Sequence, residues 1–298
     1  MKFRTEYKAD RASLTLDPSK PVVLVGSCFS QNMAAQMSEH GWEAVLPCGT
    51  LYNPFSIGLA LDMLIDEKRG VERFEKSLFH ADGLWNSHRF DSSFSSSNKE
   101  DCIEEFKLRQ KMLSEKLAEG NTMIVTFGTS ICYNLRNNEG VVGNCHKQPA
   151  TNYYTQRLTD SSILSTWEVI NKELQEKFPD LKIIFTVSPV RHLKDGFTAN
   201  SRSKAVLLLA VEEICQYNEN CFYFPAFEIL NDDLRDYRFY ASDLSHPSQE
   251  AIEYIWEKFC DTYIDEDGRR MLLEGEKRIK AQQHRPKRGA LGKPLSQG

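Results

Sequence analysis

The stretch from Val22 to Ser30 reads VVLVGSCFS, and it decides the fold because it joins a strand to a helix through a tight turn. Four consecutive branched apolar residues are typical of a strand that is buried on both faces of a parallel sheet. A helical pattern with apolar residues on one face follows at Gln31–His40. The stretch therefore predicts a strand–turn–helix unit whose turn displays the hydroxyl of Ser27 and the thiol of Cys28.

Four further apolar runs indicate strands, because each is rich in β-branched or aromatic residues and is followed by Gly, Pro or Ser. With Pro21–Val25, the predicted strands are Glu43–Leu46, Thr122–Phe127, Lys182–Val187 and Cys221–Phe224. Helical patterns alternate with them at Gln31–His40, Ile57–Ile65, Lys99–Ala118, Ser161–Phe178, Ser203–Tyr217 and Pro247–Tyr263. The alternation predicts an α/β fold with a doubly wound parallel sheet, in which ligands bind at the carboxyl ends of the strands.

The length of 298 residues suits one extended α/β domain, which we predict over residues 1–265. The interval from about residue 50 to residue 120 is too long for one crossover, so we expect an insertion after the second strand that folds over the sheet edge. Residues Asn134–Tyr154 are polar and show no periodicity. We expect them to form a loop that binds a ligand or covers the site.

The net charge of −5 is unevenly distributed along the chain. Residues Arg269–Gly298 contain nine Lys or Arg against two Glu, so we expect residues 266–298 to form a basic, flexible tail. Such a tail could contact nucleic acid, anionic lipid or an acidic partner. No aromatic platform accompanies the charges, so a solvated tail is favoured and nucleic-acid binding is not expected.

The eight cysteines form no C-x-x-C pair and no compact framework, which favours reduced thiols in the cytoplasm over disulfides. The first residues carry no apolar run of signal-peptide length, and the apolar segments are too short to span a bilayer. We therefore expect a cytoplasmic protein without membrane contact. The cysteine spacing does not predict a zinc site, and nothing in the sequence requires a cofactor.

A second informative stretch, Ser242–Ser248, places Asp243 three residues before His246 and directly ahead of a helix. A carboxylate in this position can hold an imidazole in the tautomer of a general base. The alternative is that the histidine caps a helix or lies on the surface. Strand-end loops of a parallel sheet meet at one edge, so the pair can face Cys28 or Ser27 there, which predicts acyl-transfer chemistry.

Several motifs resemble the GSCFA family, named for a Gly-Ser-Cys-Phe-Ala motif that reads GSCFS at Gly26–Ser30 here. Further family-like pieces are GTLYNP at residues 49–54, GNCHK at residues 143–147 and TVSPVRH at residues 186–192. Over roughly Pro21 to Tyr263, the chain also resembles the wider SGNH/GDSL hydrolase superfamily. That resemblance implies a flavodoxin-like three-layer α/β/α sandwich that hydrolyses esters, often acyl groups on sugars or lipids.

The resemblance also implies roles for the residues that match the superfamily's blocks. Cys28 stands where the superfamily has its nucleophilic serine, Ser27 stands where it has an aspartate, and Asp243 and His246 match its Asp-x-x-His block. The start of a helix and a nearby imidazolium would both lower the pKa of the thiol. Two alternatives stay open: Ser27 is the nucleophile, or Cys28 is a small buried apolar residue without chemistry.

The oxyanion hole is predicted from the same resemblance. Gly49 matches the glycine that contributes a backbone donor, and Ser130 stands where the superfamily has an asparagine donor. Asn53 or Asn144 could supply the missing amide.

Four residues are predicted to bind the substrate. They are Asn53, His146, Arg191 and His192. A cationic cluster of Arg191, His192 and Lys194 after the fourth strand could receive an acidic part of the substrate, whereas the alternative is an ordinary solvated loop.

We therefore predict an SGNH-like hydrolase or acyltransferase that cleaves an ester or thioester through a covalent acyl-enzyme, with His246 as the base. The substrate would be a small molecule or a carbohydrate that carries an acyl group. The alternative is a non-catalytic ligand-binding protein that keeps the crevice. Selective labelling of one thiol would distinguish the two, because a catalytic cysteine reacts faster than buried structural ones.

Overall fold

The apolar runs become strands and the amphipathic patterns become helices in the computed structural model, which describes residues 5–9, 11–137 and 140–283. The strands are β1 (Val22–Gly26), β2 (Ala44–Val45), β3 (Leu78–Ala81), β4 (Leu84–Ser87), β5 (Thr122–Phe127), β6 (Ile131–Leu135), β7 (Gly140–Val142), β8 (Tyr153–Arg157), β9 (Lys182–Val187) and β10 (Cys221–Tyr223). The helices are α1 (Cys28–Glu39), α2 (Pro54–Ile65), α3 (Gly70–Lys76), α4 (Lys99–Gly120), α5 (Asp160–Lys177), α6 (Phe197–Tyr217), α7 (Ala226–Glu228), α8 (Gln249–Tyr263) and α9 (Glu266–Gln283). A π-helical segment, Ile229–Leu234, directly follows α7.

The five predicted strands are confirmed as one parallel sheet, in the order β10-β9-β5-β1-β2. Leu24 of β1 pairs with Ile124 of β5, and Ile124 pairs with Ile184 of β9. β1 and β5 are buried along their whole length, as strands with helices on both faces must be. This burial explains why both strands are continuous apolar runs in the sequence.

The helices lie on both faces of the sheet, so the predicted three-layer α/β/α arrangement is confirmed. Val23 and Val25 of β1 pack in the same apolar cluster as the buried residues of α2, α4, α5 and α6. Val22 and Leu24 point the opposite way and pack with α1 and α8. Successive side chains of a strand point to opposite faces, so alternate residues of β1 pack into the apolar clusters on the two faces of the sheet.

The region predicted as an insertion holds α2, α3, a hairpin of β3 and β4, and α4. The hairpin turns through Asp82 and Gly83, both in the left-handed region, as two-residue hairpin turns require. Phe74 of α3 stacks on Phe106 of α4 with ring centroids 4.5 Å apart, within the same core cluster as β1. The region therefore shares the core of the main sheet, and α4 is the crossover helix that leads into β5.

The prediction of an irregular loop over Asn134–Tyr154 is wrong in part. Residues 134–135, 140–142 and 153–154 belong to a three-stranded antiparallel sheet in the order β7-β6-β8, with a small apolar cluster of Leu135, Val142 and Tyr153, while residues 143–149 form a loop. Four of the five residues of β8 are exposed, so the strand carries none of the apolar alternation that marks a half-buried strand. Backbone pairing with β6, rather than burial, therefore defines it.

The prediction of a flexible tail is wrong for residues 266–283, which form α9. Leu272 is buried, and Gly275 packs so closely on His40 at the end of α1 that a Cβ there would lie 2.1 Å from the His40 carbonyl oxygen. Most residues of α9 are charged or polar, so the composition of this stretch gave no indication of these few buried contacts. Residues 284–298 lie outside the described residues, and no helix in the described part of the chain is long and apolar enough to cross a membrane.

Two glycines with positive φ provide a matched test of the turn after β1. A Cβ on Gly26 (φ 127°) would lie 2.1 Å from the Thr126 carbonyl oxygen of β5, whereas a Cβ on Gly83 (φ 77°) would meet nothing within 4 Å. We expect Gly26→Ala to lower the free energy of unfolding by about 3 kcal/mol or more, and Gly83→Ala by only about 1 kcal/mol of backbone strain. Urea unfolding of both variants measures the difference. Equal losses would contradict the close approach of β1 to β5.

Candidate functional site

The turn after β1 separates the two candidate nucleophiles. Ser27 precedes α1 as its N-cap, and its backbone N–H donates to the Thr126 carbonyl oxygen at 3.1 Å. The Ser27 side chain is fully buried, and its hydroxyl has no hydrogen-bond partner among the described residues. Cys28, the first residue of α1, is only partly buried and faces a cleft. The geometry therefore presents the thiol and hides the hydroxyl.

The cleft has a volume of about 370 Å³ and lies at the carboxyl ends of the parallel strands. Cys28 and His246 both line it, as the sequence predicts for strand-end loops. The rest of the lining is largely apolar or aromatic and comprises Tyr52, Asn53, Thr129, Ile131, Tyr133, Val142, Gly143, Asn144, Cys145, Val190, Arg191 and His192. Across the described ranges, no group of three or more His, Cys, Asp or Glu is arranged to hold a metal ion.

Asp243 orients the imidazole of His246 through a short hydrogen bond. Nδ1 of His246 lies 2.5 Å from Oδ2 of Asp243, while Oδ1 accepts from the backbone N–H groups of Ser245 at 2.9 Å and His246 at 3.0 Å. The two backbone donors, together with the imidazole, hold the pKa of the Asp243 carboxyl well below its usual range. Because Nδ1 is engaged, Nε2 is the nitrogen left to exchange a proton.

Arg191 supports the loop that carries this pair. Its guanidinium donates to the Leu244 carbonyl oxygen at 3.1 Å, and its backbone N–H donates to the Ser245 carbonyl oxygen at 3.0 Å. Leu244 adopts a left-handed backbone conformation (φ 55°), which an L-residue tolerates only when neighbouring contacts hold it. The guanidinium also packs within 6 Å of three aromatic rings, those of Phe197, Tyr237 and Tyr240. Arg191 therefore lines the cleft, and one of its guanidinium donors supports the loop that carries His246.

His192 lies against Tyr52 in the cleft, with ring centroids 5.6 Å apart. Burial, together with the nearby Lys204 and His246, lowers the pKa of His192 to about 4. The ring is therefore neutral near pH 7, and its Nε2 is buried without a hydrogen-bond partner among the described residues. The predicted cationic cluster after the fourth strand is thus reduced, since His192 is neutral near pH 7.

Lys204 is a site residue that the sequence analysis missed. Its side chain is almost completely buried, and Nζ donates to the carbonyl oxygens of Gly128 and Ser188, each at 2.6 Å. These two carbonyls directly follow β5 and β9. Burial lowers the pKa of Lys204 to about 7. Its place on α6, three residues before buried Leu207 on the apolar face of that helix, was the signal that could have revealed it.

The thiol of Cys28 is not activated in the way that we expected. Burial raises its pKa above the ordinary value, and this effect exceeds the opposing influence of the backbone N–H groups of Cys28 and Phe29 and of the Lys204 charge. The expectation that the helix start would lower the thiol pKa is therefore wrong in its net direction. In the resting site the thiol keeps its proton.

Two predicted oxyanion donors lie away from the cleft. Gly49 packs against Asp91, where a Cβ would lie 2.3 Å from the Asp91 carboxylate, and its N–H faces the Leu46 carbonyl oxygen. Ser130 is fully buried, and both its N–H and its hydroxyl donate to Oγ of Ser203, at 2.7 and 3.2 Å. These assignments are wrong, because tertiary contacts already use the donors.

The predicted substrate-binding residues divide between structural and cleft positions. Asn53 caps α2: its Oδ1 accepts from the Ser56 N–H at 2.9 Å, and its amide donates to the Ser56 hydroxyl at 2.7 Å. His146 lies outside the cleft, with Nε2 within hydrogen-bond distance of two carbonyl oxygens of the β4 region. The substrate-binding prediction for His146 is therefore wrong, whereas Asn53 does line the cleft while its side chain caps the helix. Asn144 does line the cleft, and because its Oδ1 accepts from the His146 N–H, its NH₂ group is the part available to a ligand.

The lowered pKa of His192 predicts an acid-sensitive stability. Between pH 6.5 and about 4 the unfolded chain binds a proton at this histidine and the folded protein does not, so stability falls as the pH falls through that window. Between these pH values the protonation of this histidine should lower the free energy of unfolding of the wild type by on the order of 2 to 3 kcal/mol. We expect this decrease to be absent in His192→Gln. His80→Gln, at an exposed hairpin position, is the matched control and should keep the wild-type slope. Urea unfolding at a series of pH values measures both, and an unchanged slope in His192→Gln would contradict a buried neutral ring.

A comparison with models of protein families agrees with the family resemblance seen in the sequence. The sequence model of the GSCFA family matches residues 21–259, whereas a search of curated protein sequences found no match. Similar solved structures include a protein proposed to be an acylhydrolase from Bacteroides fragilis, with 8% identity, a TM-score of 0.40, and 87% of this chain and 91% of that chain covered. A carbohydrate esterase of family 3 from Talaromyces cellulolyticus shares 6% identity with a TM-score of 0.37, covering 87% of this chain and 99% of that chain. The family match spans most of the sequence and includes the Gly26–Ser30 motif, and the chain therefore belongs to the GSCFA family.

Proposed function

We propose that this protein is a cysteine-dependent acyl hydrolase or acyltransferase that cleaves an ester or a thioester. The observation that carries the proposal is the shared cleft: the thiol of Cys28 and the hydrogen-bonded pair of Asp243 and His246 open into the same space. A nucleophile, a base and an orienting carboxylate are the parts that acyl transfer requires. In this proposal, Cys28 attacks, and Ser27 only shapes the turn.

The reaction would proceed in two halves. Nε2 of His246 takes the proton from the Cys28 thiol as Sγ bonds to the carbonyl carbon of the substrate, and Asp243 stabilises the imidazolium. The C–O or C–S bond to the leaving group then breaks, and the imidazolium returns the proton to the leaving oxygen or sulfur. In the second half, His246 removes a proton from water or from an acceptor hydroxyl as its oxygen attacks the carbonyl carbon of the thioester. The bond from that carbon to Sγ then breaks, and the imidazolium returns the proton to Sγ of Cys28.

The oxyanion of each tetrahedral intermediate needs donors near Sγ. The backbone N–H groups of Cys28 and Phe29, at the start of α1, already interact with the thiol sulfur. They lie at the positive end of the helix, where anionic oxygen is stabilised. The NH₂ group of Asn144 is the side-chain donor that lines the same cleft. These groups take the place of Gly49 and Ser130 in the proposed mechanism.

The cleft favours an uncharged acyl group. Its apolar lining includes Ile131, Val142 and Val190, while its two aromatic walls come from Tyr52 and Tyr133. His192 is neutral near pH 7, so it offers no charge to an anionic substrate. A short acyl chain on a neutral acceptor, such as an acylated carbohydrate, suits a volume of about 370 Å³.

The raised pKa of Cys28 supports a second candidate function, a non-catalytic ligand-binding protein. A thiol that keeps its proton in the resting site is a weak nucleophile, and a cleft of this kind can bind a ligand without reacting with it. The decisive experiment exposes the protein to a panel of acyl esters and thioesters and records the intact mass. An acyl adduct mapped to the Cys28 peptide supports the enzyme, whereas tight binding without any adduct supports the binding protein.

Variants at the turn and the base test the assignment of roles. We expect Cys28→Ala and His246→Ala each to lower turnover of the best panel substrate by about 10³-fold or more, because each removes a group that bonds to or deprotonates the reacting atoms. Ser27→Ala is the matched control: its hydroxyl is buried without a partner, so most activity should remain. Initial rates and circular dichroism of the three variants measure activity and folding. An inactive Ser27→Ala together with an active Cys28→Ala would reverse the assignment.

Arg191 provides a test of loop support that leaves the reacting groups intact. Arg191→Met keeps an unbranched side chain beside the aromatic rings but removes the donor to the Leu244 carbonyl oxygen. We expect kcat to fall by about 10- to 100-fold with little change in KM, because the imidazole is held less firmly while the apolar cleft is retained. Arg202→Met, at an exposed position of α6, is the control. A kcat equal to that of the wild type would show that Asp243 alone positions the base.

A further inference from the structure

We propose that Lys204 is a positioning residue for the candidate nucleophile: its buried ammonium group is the counter-charge that stabilises the thiolate of Cys28. The inference rests on the proposed function only in naming Cys28 as the reactive group. It adds a fourth ionisable group to the site, from a helix that contributes neither the nucleophile nor the base.

The amine is held in one place beneath the turn that carries the thiol. Nζ of Lys204 donates to the Gly128 and Ser188 carbonyl oxygens, both at 2.6 Å. Gly128 in turn touches the nucleophile turn: a Cβ added to it would lie 3.2 Å from Cβ of Ser27 and 3.1 Å from Nε2 of His192. One backbone residue therefore separates the amine from the turn, and the strand ends fix its position.

Among the described residues, the contacts of the Lys204 amine are two carbonyl oxygens and the ring of Phe227, whose centroid lies 5.8 Å from Nζ. An ammonium group removed from water costs several kcal/mol unless it is paired, yet no carboxylate forms an ion pair with Lys204 among the residues that the structure describes. Two carbonyl oxygens satisfy the two N–H donors of a neutral amine as well as two donors of an ammonium group. Both charge states therefore fit the site, and the neighbouring groups decide between them.

The charge that favours the ammonium form is that of Cys28. A thiolate at Cys28 raises the pKa of Lys204 against the effect of burial, and reciprocally the Lys204 charge lowers the pKa of the Cys28 thiol. His192 is neutral near pH 7, so it does not compete as a cation. The Asp243 carboxylate opposes the thiolate, which leaves Lys204 and the imidazolium of His246 as the groups that can balance its charge.

The pH dependence of alkylation tests this proposal without a substrate. Iodoacetamide labelling of the Cys28 peptide is followed by mass spectrometry from pH 5 to pH 10 in the wild type, in Lys204→Met and in Lys194→Met. Lys194 is an exposed cation on the cleft rim, bonded to the Tyr133 hydroxyl at 2.9 Å, and is the matched control. We expect Lys204→Met to label about tenfold more slowly than the wild type at pH 7, which corresponds to a rise of about one unit in the pKa of the thiol. Lys194→Met should follow the wild type.

A measurement on the wild-type chain guards against misfolding of the buried variant. With lysine labelled by ¹³C at Cε, the titration midpoint of Lys204 is followed by NMR before and after Cys28 is capped with iodoacetamide. Capping removes the ionisable group that raises the pKa of Lys204, so the Lys204 midpoint should fall. A Lys204→Met profile that superimposes on that of the wild type, or a midpoint that capping does not move, overturns the proposal.

The outcome is separable from that of the proposed function. If the labelling profile of Cys28 depends on Lys204 but no acyl adduct forms, this inference is upheld and the proposed hydrolase is contradicted. If the protein is an active enzyme but the labelling profile does not depend on Lys204, the proposed function is upheld and this inference is contradicted.

Discussion

The parallel pairing of β1 with β5, and of β5 with β9, is the constraint on which the candidate site depends. Parallel strands end at the same edge of a sheet, so this pairing brings the residues after each strand together although they are far apart in the sequence. The hydrogen bond from the Ser27 N–H to the Thr126 carbonyl oxygen then fixes the turn with the thiol outward and the hydroxyl inward. A slip of one residue in β1 would exchange its two faces and displace the turn with it.

The sheet could be predicted because its strands are buried on both faces. Burial of β1, β5 and β9 requires continuous apolar runs, and such runs between helical patterns have few other interpretations. The three-stranded sheet of β6, β7 and β8 gave no comparable signal, because backbone pairing rather than burial defines it. For α9, a few buried contacts around Leu272 and Gly275 outweigh a strongly charged composition, and only tertiary structure reveals them.

The site was predictable where its chemistry is local. Asp243 and His246 lie three residues apart, so their hydrogen bond could be expected from spacing alone. Ser130 was misassigned because its hydroxyl bonds to Ser203, 73 residues away, and no sequence pattern records that contact. Lys204 was overlooked although a local pattern was available. The helical periodicity of α6 places this charged residue on the buried face of the helix, and a charge at such a position is itself a signal of function.

At Cys28, burial and the nearby positive charges act on the pKa of the thiol in opposite directions. This competition explains why the start of α1 alone does not lower that pKa below its ordinary value. The positive end of a helix stabilises an anion by about 0.3 to 1 kcal/mol at an ordinary exposed site, whereas burial can shift the pKa of a thiol by several units of about 1.4 kcal/mol each. The net direction at Cys28 follows burial, as these magnitudes require. A full positive charge in a poorly solvated environment acts more strongly than the half charge of a helix end. Lys204 meets that description, because its ammonium is fixed by two carbonyl oxygens and shielded from water. The same burial that raises the pKa of the thiol therefore also strengthens the interaction with Lys204 that opposes the rise, although burial still determines the net direction.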